Sequence, residues 1–121
     1  MRDQFAEVLA KAGNSVLKEV PLTLQGPVAV TATVELMVRT PTGSVYAIEV
    51  KTGTDPKFTP AQQIVYPHIE LGELVASNDA RISALAFTRN VALPAIPVVV
   101  LYTQGPGEPM TTYPLWQYMR K

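Results

Sequence analysis

Ser44-Val45-Tyr46-Ala47-Ile48-Glu49-Val50-Lys51 carries the β-branched and aromatic residues of a strand and stops at Thr52-Gly53. On a strand Glu49 and Lys51 point to one face, about 6.5–7 Å apart along the chain, while Tyr46, Ile48 and Val50 point to the other and are candidates for a core. A carboxylate and an ammonium so placed fit a solvated surface ion pair. They also fit half of a metal-dependent hydrolytic site, and the flanking sequence has to separate the two.

Upstream, residues 28 to 40 alternate with period 2: Val28, Val30, Ala32, Val34, Leu36 and Val38 on one face, Thr31, Thr33, Glu35, Met37 and Arg39 on the other. This predicts a strand with Glu35 off the core face. Pro41-Thr42-Gly43-Ser44 then reads as a turn, so residues 28 to 51 form a hairpin. Downstream, Thr54 to Phe58 reads as a loop and Thr59-Pro60-Ala61-Gln62 opens a helix. Thr59 suits the N-cap, Pro60 the first helical position, and Gln62 completes a capping box. The helix is expected to reach about Ala76, with a kink or early break at Tyr66-Pro67 and a weak point at Gly72.

Outside this segment, Phe5, Val8, Leu9 and Ala12 recur with the period of an amphipathic helix over residues 3 to 12, stopped by Gly13-Asn14; Glu7 and Lys11 pair on its other face. Val16 to Leu24 is a strand whose Val20-Pro21 step indicates an edge or a bulge, closed by a turn at Gln25-Gly26-Pro27. Ile82 to Thr88 and Pro97 to Thr103 read as two further strands, the second apolar on both faces and so suited to burial on both sides. The tail from Tyr113 to Lys121, with Trp116, Tyr118 and Met119, reads as a short helix docked on the body. The expected order is helix, three strands, helix, two strands, in one domain spanning 1–121.

Composition narrows the chemistry. The 121 residues are 47% apolar and 17% charged, as in a folded globular chain. There is no cysteine, which excludes disulfides, thiolate metal sites and cysteine nucleophiles. The single histidine, His68, excludes a multi-histidine metal site and reads as structural or surface. Ten basic and ten acidic residues leave no net charge, which disfavours a protein that coats nucleic acid by bulk electrostatics. No signal peptide and no run of about 18 apolar residues is present, so no membrane span is expected.

If the two strands of the hairpin pair, Glu35, Glu49 and Lys51 converge at one end of it. Two carboxylates, with a strand carbonyl such as that of Val50, can hold a hard divalent cation. Such a cation lowers the pKa of bound water and offsets charge on a phosphate. Lys51 would orient the attacking water or stabilise the transition state, and Gln62 would support the nucleophile or the lysine. On the plainer reading Glu49 and Lys51 form a surface pair, Gln62 only caps its helix, and Tyr66, Trp116 and Tyr118 pack.

The acidic residue Glu35 on one strand, Glu49-Val50-Lys51 on the next, and Gln62 with Tyr66 in the following helix resemble the PD-(D/E)XK nuclease superfamily. The resemblance implies an α/β fold, a restriction-endonuclease-like αβββαβ core with a mixed central sheet, and runs from about residue 3 to residue 103. Val38-Arg39-Thr40-Pro41-Thr42-Gly43, Ile48 to Gly53, Thr59 to Gln62 and Tyr66 to Gly72 further resemble C-terminal nuclease domains of bacterial polymorphic toxins of the contact-dependent inhibition and Rhs types. What this implies is a metal-dependent endonuclease cutting DNA or tRNA. Glu35, Glu49, Lys51 and Gln62 would be its catalytic residues, and Glu35, Glu49 and Val50 would hold Mg²⁺, with Zn²⁺ or Mn²⁺ as alternatives. It also implies delivery as part of a larger secreted or surface protein, action in the bacterial cytoplasm, and a cognate immunity protein as partner of an otherwise monomeric domain. Glu35 departs from the usual Asp, and Glu7 is the only candidate for a further acidic group from the first helix. The alternatives are a catalytically inactive nucleic-acid or protein binding module on the same fold, and a housekeeping resolvase or repair nuclease.

Overall fold

The computed structural model describes residues 2–53, 57–105 and 107–119. Its elements are α1 (Arg2–Lys11), β1 (Ser15–Leu24), β2 (Val30–Arg39), β3 (Val45–Thr52), α2 (Pro60–Leu71), β4 (Val75–Ala76), a 3-10 turn (Ala80–Leu85), β5 (Val98–Thr103), β6 (Thr111–Pro114) and α3 (Leu115–Met119). Among the described residues six strands form one mixed sheet in the order β4-β1-β2-β3-β5-β6, and only the β3–β5 pair is parallel. The expected α/β class with a helix-flanked mixed sheet is what the chain adopts.

Both faces of the sheet are covered. On one side Ala6 of α1, with Phe5 and Leu9, packs on Leu36, Val38, Ile48, Val50 and Leu101. On the other, Val65, Tyr66 and Ile69 of α2, Ile82 and Leu85 of the 3-10 turn, and Leu115 and Tyr118 of α3 pack on Val20, Leu22, Val34, Met37, Ala47 and Val100.

The alternation of β2 therefore does not define one core face. Ala32 and Val34 pack under α2, whereas Leu36 and Val38 pack under α1, and Met37 joins the α2 side. The phase of the strand reverses at Glu35. On β1 it reverses in the same place: Val16 faces α1, Leu17 faces α2, and so do Val20 and Leu22. Glu19 has φ 54° at this point, and the register Lys18↔Leu36, Val20↔Val34 steps over both glutamates. The paired distortion places Glu35 at a break in the sheet; opposite it, Glu19 directly precedes the Val20-Pro21 step read as an edge or a bulge, and β1 is not an edge but lies between β4 and β2. Arg2 holds the Glu19 carboxylate at 2.9 Å and Arg81 the Glu19 carbonyl at 3.0 Å, which supports the left-handed backbone there.

Several expectations are corrected. Val8, Val28 and Tyr46 are exposed rather than core, because α1 turns Ala6 inward and Val28 precedes β2. The helix α2 runs through Pro67 without a break; the carbonyl left without an amide partner belongs to exposed Gln63. It ends at Leu71, not near Ala76, because Gly72 takes a left-handed C-cap at φ 69° and returns its N–H to His68 and Ile69. Val75 and Ala76 then pair with Leu24 and Thr23 at the sheet edge. Residues 82 to 88 are not a strand: Asp79 caps a 3-10 turn that buries Ile82 and Leu85, three residues apart as 3-10 geometry requires. Thr111–Pro114 adds an edge strand ahead of the short C-terminal helix. Thr54, Asp55 and Pro56 of the expected loop lie outside the described residues, as do Arg120 and Lys121 of the expected tail helix.

Candidate active site

The pairing of β2 with β3 is short. It runs from Arg39↔Val45 to Leu36↔Ile48 and stops at the next position, where Glu35 faces Glu49. From there β2 continues beside β1 and β3 beside β5. The two glutamates bridge the point of divergence by taking each other's strand amides. Glu35 N–H donates to Glu49 Oε1 at 3.1 Å, and Val50 N–H donates to Glu35 Oε2 at 3.0 Å. Each carboxylate thus replaces a ladder acceptor that strand separation removes.

Alternation along β3 sends Ala47, Glu49 and Lys51 toward α2 and Ile48 and Val50 toward α1. Glu49 is only 2% exposed, so the surface-pair reading does not describe it. Four donors converge on its carboxylate. Glu35 N–H and the Tyr66 hydroxyl (3.0 Å) reach Oε1; Gln62 Nε2 (2.6 Å) and Lys51 Nζ (3.4 Å) reach Oε2. A carboxylate has about four acceptor positions, and here all are taken.

Gln62 links the strand to the helix. Thr59 Oγ1 accepts from Gln62 N–H at 3.1 Å, and Gln62 Oε1 accepts from Thr59 N–H at 3.0 Å, completing the capping box. The same Oε1 accepts from Lys51 Nζ at 3.1 Å, while Nε2 donates to Glu49 and lies 3.2 Å from the Tyr66 hydroxyl. The opposite amide orientation would set NH₂ against an ammonium and an N–H, so the network fixes it. Gln62 is therefore both a helix cap and part of the cluster.

Electrostatics follow from this packing. Burial, then the neighbouring Glu49 carboxylate, raise the Glu35 pKa; the Val50 N–H, Lys51 and Arg2 oppose that rise. Burial and the Glu49 carboxylate push the Tyr66 phenol far above its ordinary value, keeping it a neutral donor.

Glu35, Glu49, Lys51, Val50 and Gln62 thus meet, Val50 through its N–H. Tyr66, for which the sequence leaves packing and a place beside Gln62 both open, is also in the cluster, one helical turn beyond Gln62. Phe58 was missed. Its ring lies 5.3 Å from Lys51 Nζ, and nothing in a loop sequence marks such a contact. Glu7 instead pairs with Lys11 at 2.9 Å, and His68 lies 3.9 Å from Glu73.

Among the described residues no group of three or more His, Cys, Asp or Glu side chains could enclose a metal. The cluster offers two carboxylates, hard oxygens of the kind that hold Mg²⁺ when water fills the other positions. The Glu35 carboxylate accepts from Val50 N–H through Oε2, and its Oε1 has no hydrogen-bond partner among the described residues. Among the described residues no helix is long and apolar enough to cross a membrane. No family model matches the chain, and no curated protein matches it by sequence.

Proposed function

We propose that the chain is a metal-dependent endonuclease that hydrolyses phosphodiester bonds in DNA or tRNA, acting as an antibacterial toxin domain delivered by a larger protein and countered by an immunity protein. The observation that carries this reading is the meeting of Glu35, Glu49, Lys51 and Gln62 where β2 and β3 diverge. It supports the site that the PD-(D/E)XK resemblance implies. Glu35 and Glu49, with the Val50 carbonyl, would hold Mg²⁺, or Mn²⁺ or Zn²⁺ in its place. When bound, the cation lowers the pKa of its water and offsets phosphate charge. Lys51 holds a positive charge beside the carboxylates, where charge builds up on the phosphate. Gln62 fixes that ammonium and the Glu49 carboxylate at once. All acceptor positions of Glu49 are occupied among the described residues, and Lys51 at 3.4 Å is the longest of the contacts.

The same saturation favours a second reading, a binding module in which the cluster is a structural lock. Calorimetric titration with Mg²⁺ or Mn²⁺ separates the two. The nuclease reading expects heat of binding in the wild type that Glu35→Gln removes, together with loss of DNA or tRNA cleavage in Lys51→Ala. No metal uptake and no cleavage by the wild type favour the binding module.

A further inference from the structure

Lys51 has three N–H donors, and among the described residues its ammonium has three neighbours. Two are oxygens, Gln62 Oε1 at 3.1 Å and Glu49 Oε2 at 3.4 Å. The third is the ring of Phe58, with its centroid 5.3 Å from Nζ, inside the range of a cation–π contact. Phe58 is itself fixed from two sides. Its ring meets Tyr66 of α2 edge-on (centroids 5.3 Å apart, planes at 77°) and Tyr118 of α3 at 5.1 Å and 49°. Phe58 is buried, and the Lys51 side chain is 14% exposed.

We propose that Phe58 is a positioning residue, whose ring face holds the Lys51 ammonium against Gln62 and Glu49. The catalytic consequence rests on the nuclease reading; the contact itself does not. An aliphatic side chain would fill the same space but leave the third face of a poorly hydrated ammonium without an electron-rich partner. Lys51 would then leave the cluster for solvent. Through Tyr118 the same ring couples α3 to the site, an element distant in sequence from the Glu49-Val50-Lys51 strand.

The test replaces Phe58 by 4-fluoro-, 3,5-difluoro- and pentafluorophenylalanine, which weaken the ring's negative face stepwise at nearly constant shape. Reductive methylation of Lys51, followed by mass spectrometry, reads its release. Lys11, whose side chain is 76% exposed, is the internal standard. The expected result is a stepwise rise in the Lys51 rate, reaching about fivefold for the pentafluoro ring. In parallel, kcat for cleavage falls in step while KM stays constant. A Lys51 rate unchanged across the series overturns the contact. A rising Lys51 rate with unchanged kcat overturns the positioning role. If the wild type cleaves nothing, the nuclease reading fails, and the methylation series still decides whether Phe58 holds Lys51.

Discussion

At the scale of single residues, Glu49 decides how the cluster can be probed. Glu49→Ala strands four donors in a buried site, and breaking a buried charge pair in this way costs about 3–5 kcal/mol. Loss of activity in that variant would report unfolding as much as chemistry. Glu49→Gln keeps the shape and one acceptor oxygen, so urea denaturation should show a clearly smaller loss than for Glu49→Ala. Glu35 makes a pH prediction. Its folded pKa is raised by burial and by Glu49, so the folded protein holds this proton more tightly than the unfolded chain. Stability should therefore fall as pH rises from the ordinary carboxylate range through the raised value, and stay lower above it. In urea titrations of metal-free protein from pH 4 upward, this fall should be present in the wild type and absent in Glu35→Gln. Glu49 and Lys51 were legible in sequence as a pair on one strand face. Their burial was not, because it depends on α2 lying over that face.

Elements were legible where local chemistry was complete and illegible where tertiary contacts chose. The capping box at Thr59 and Gln62 was readable because all its parts lie within four residues. Pro67 suggested a break, but packing of Val65, Tyr66 and Ile69 holds the helix through it. Gly72 was noted only as a weak point, yet it ends α2. A Cβ there would sit 2.7 Å from the backbone nitrogen of Ala95, at a φ that side chains rarely adopt. Gly72→Ala should destabilise by about 1–3 kcal/mol, read as a lower urea midpoint at unchanged slope. The 3-10 turn escaped sequence reading because Ile82 suggested a strand, whereas the burial of Ile82 and Leu85 together follows a three-residue period.

For the whole molecule, the period-2 pattern of β2 located the strand but hid its geometry. A sheet covered on both faces accepts apolar residues at every position, so alternation cannot reveal that the phase reverses at Glu35. That reversal makes a prediction. Leu36→Ala should accelerate amide hydrogen exchange in α1, whereas Val34→Ala should accelerate it in α2, although the two residues are only two apart. Acceleration in the same helix by both variants would mean that the strand keeps one phase. The same reversal sets the site, because it brings Glu35 to the place where β2 leaves β3. The proposed nuclease function stands or falls on cleavage of plasmid DNA and total tRNA by the wild type, Lys51→Ala and Glu49→Gln, with Mg²⁺ and with chelator, each variant first shown to be folded by circular dichroism. Magnesium-dependent cleavage by the wild type, reduced at least about a hundredfold in both variants, is the expected result. Undiminished cleavage by folded Lys51→Ala and Glu49→Gln would contradict it.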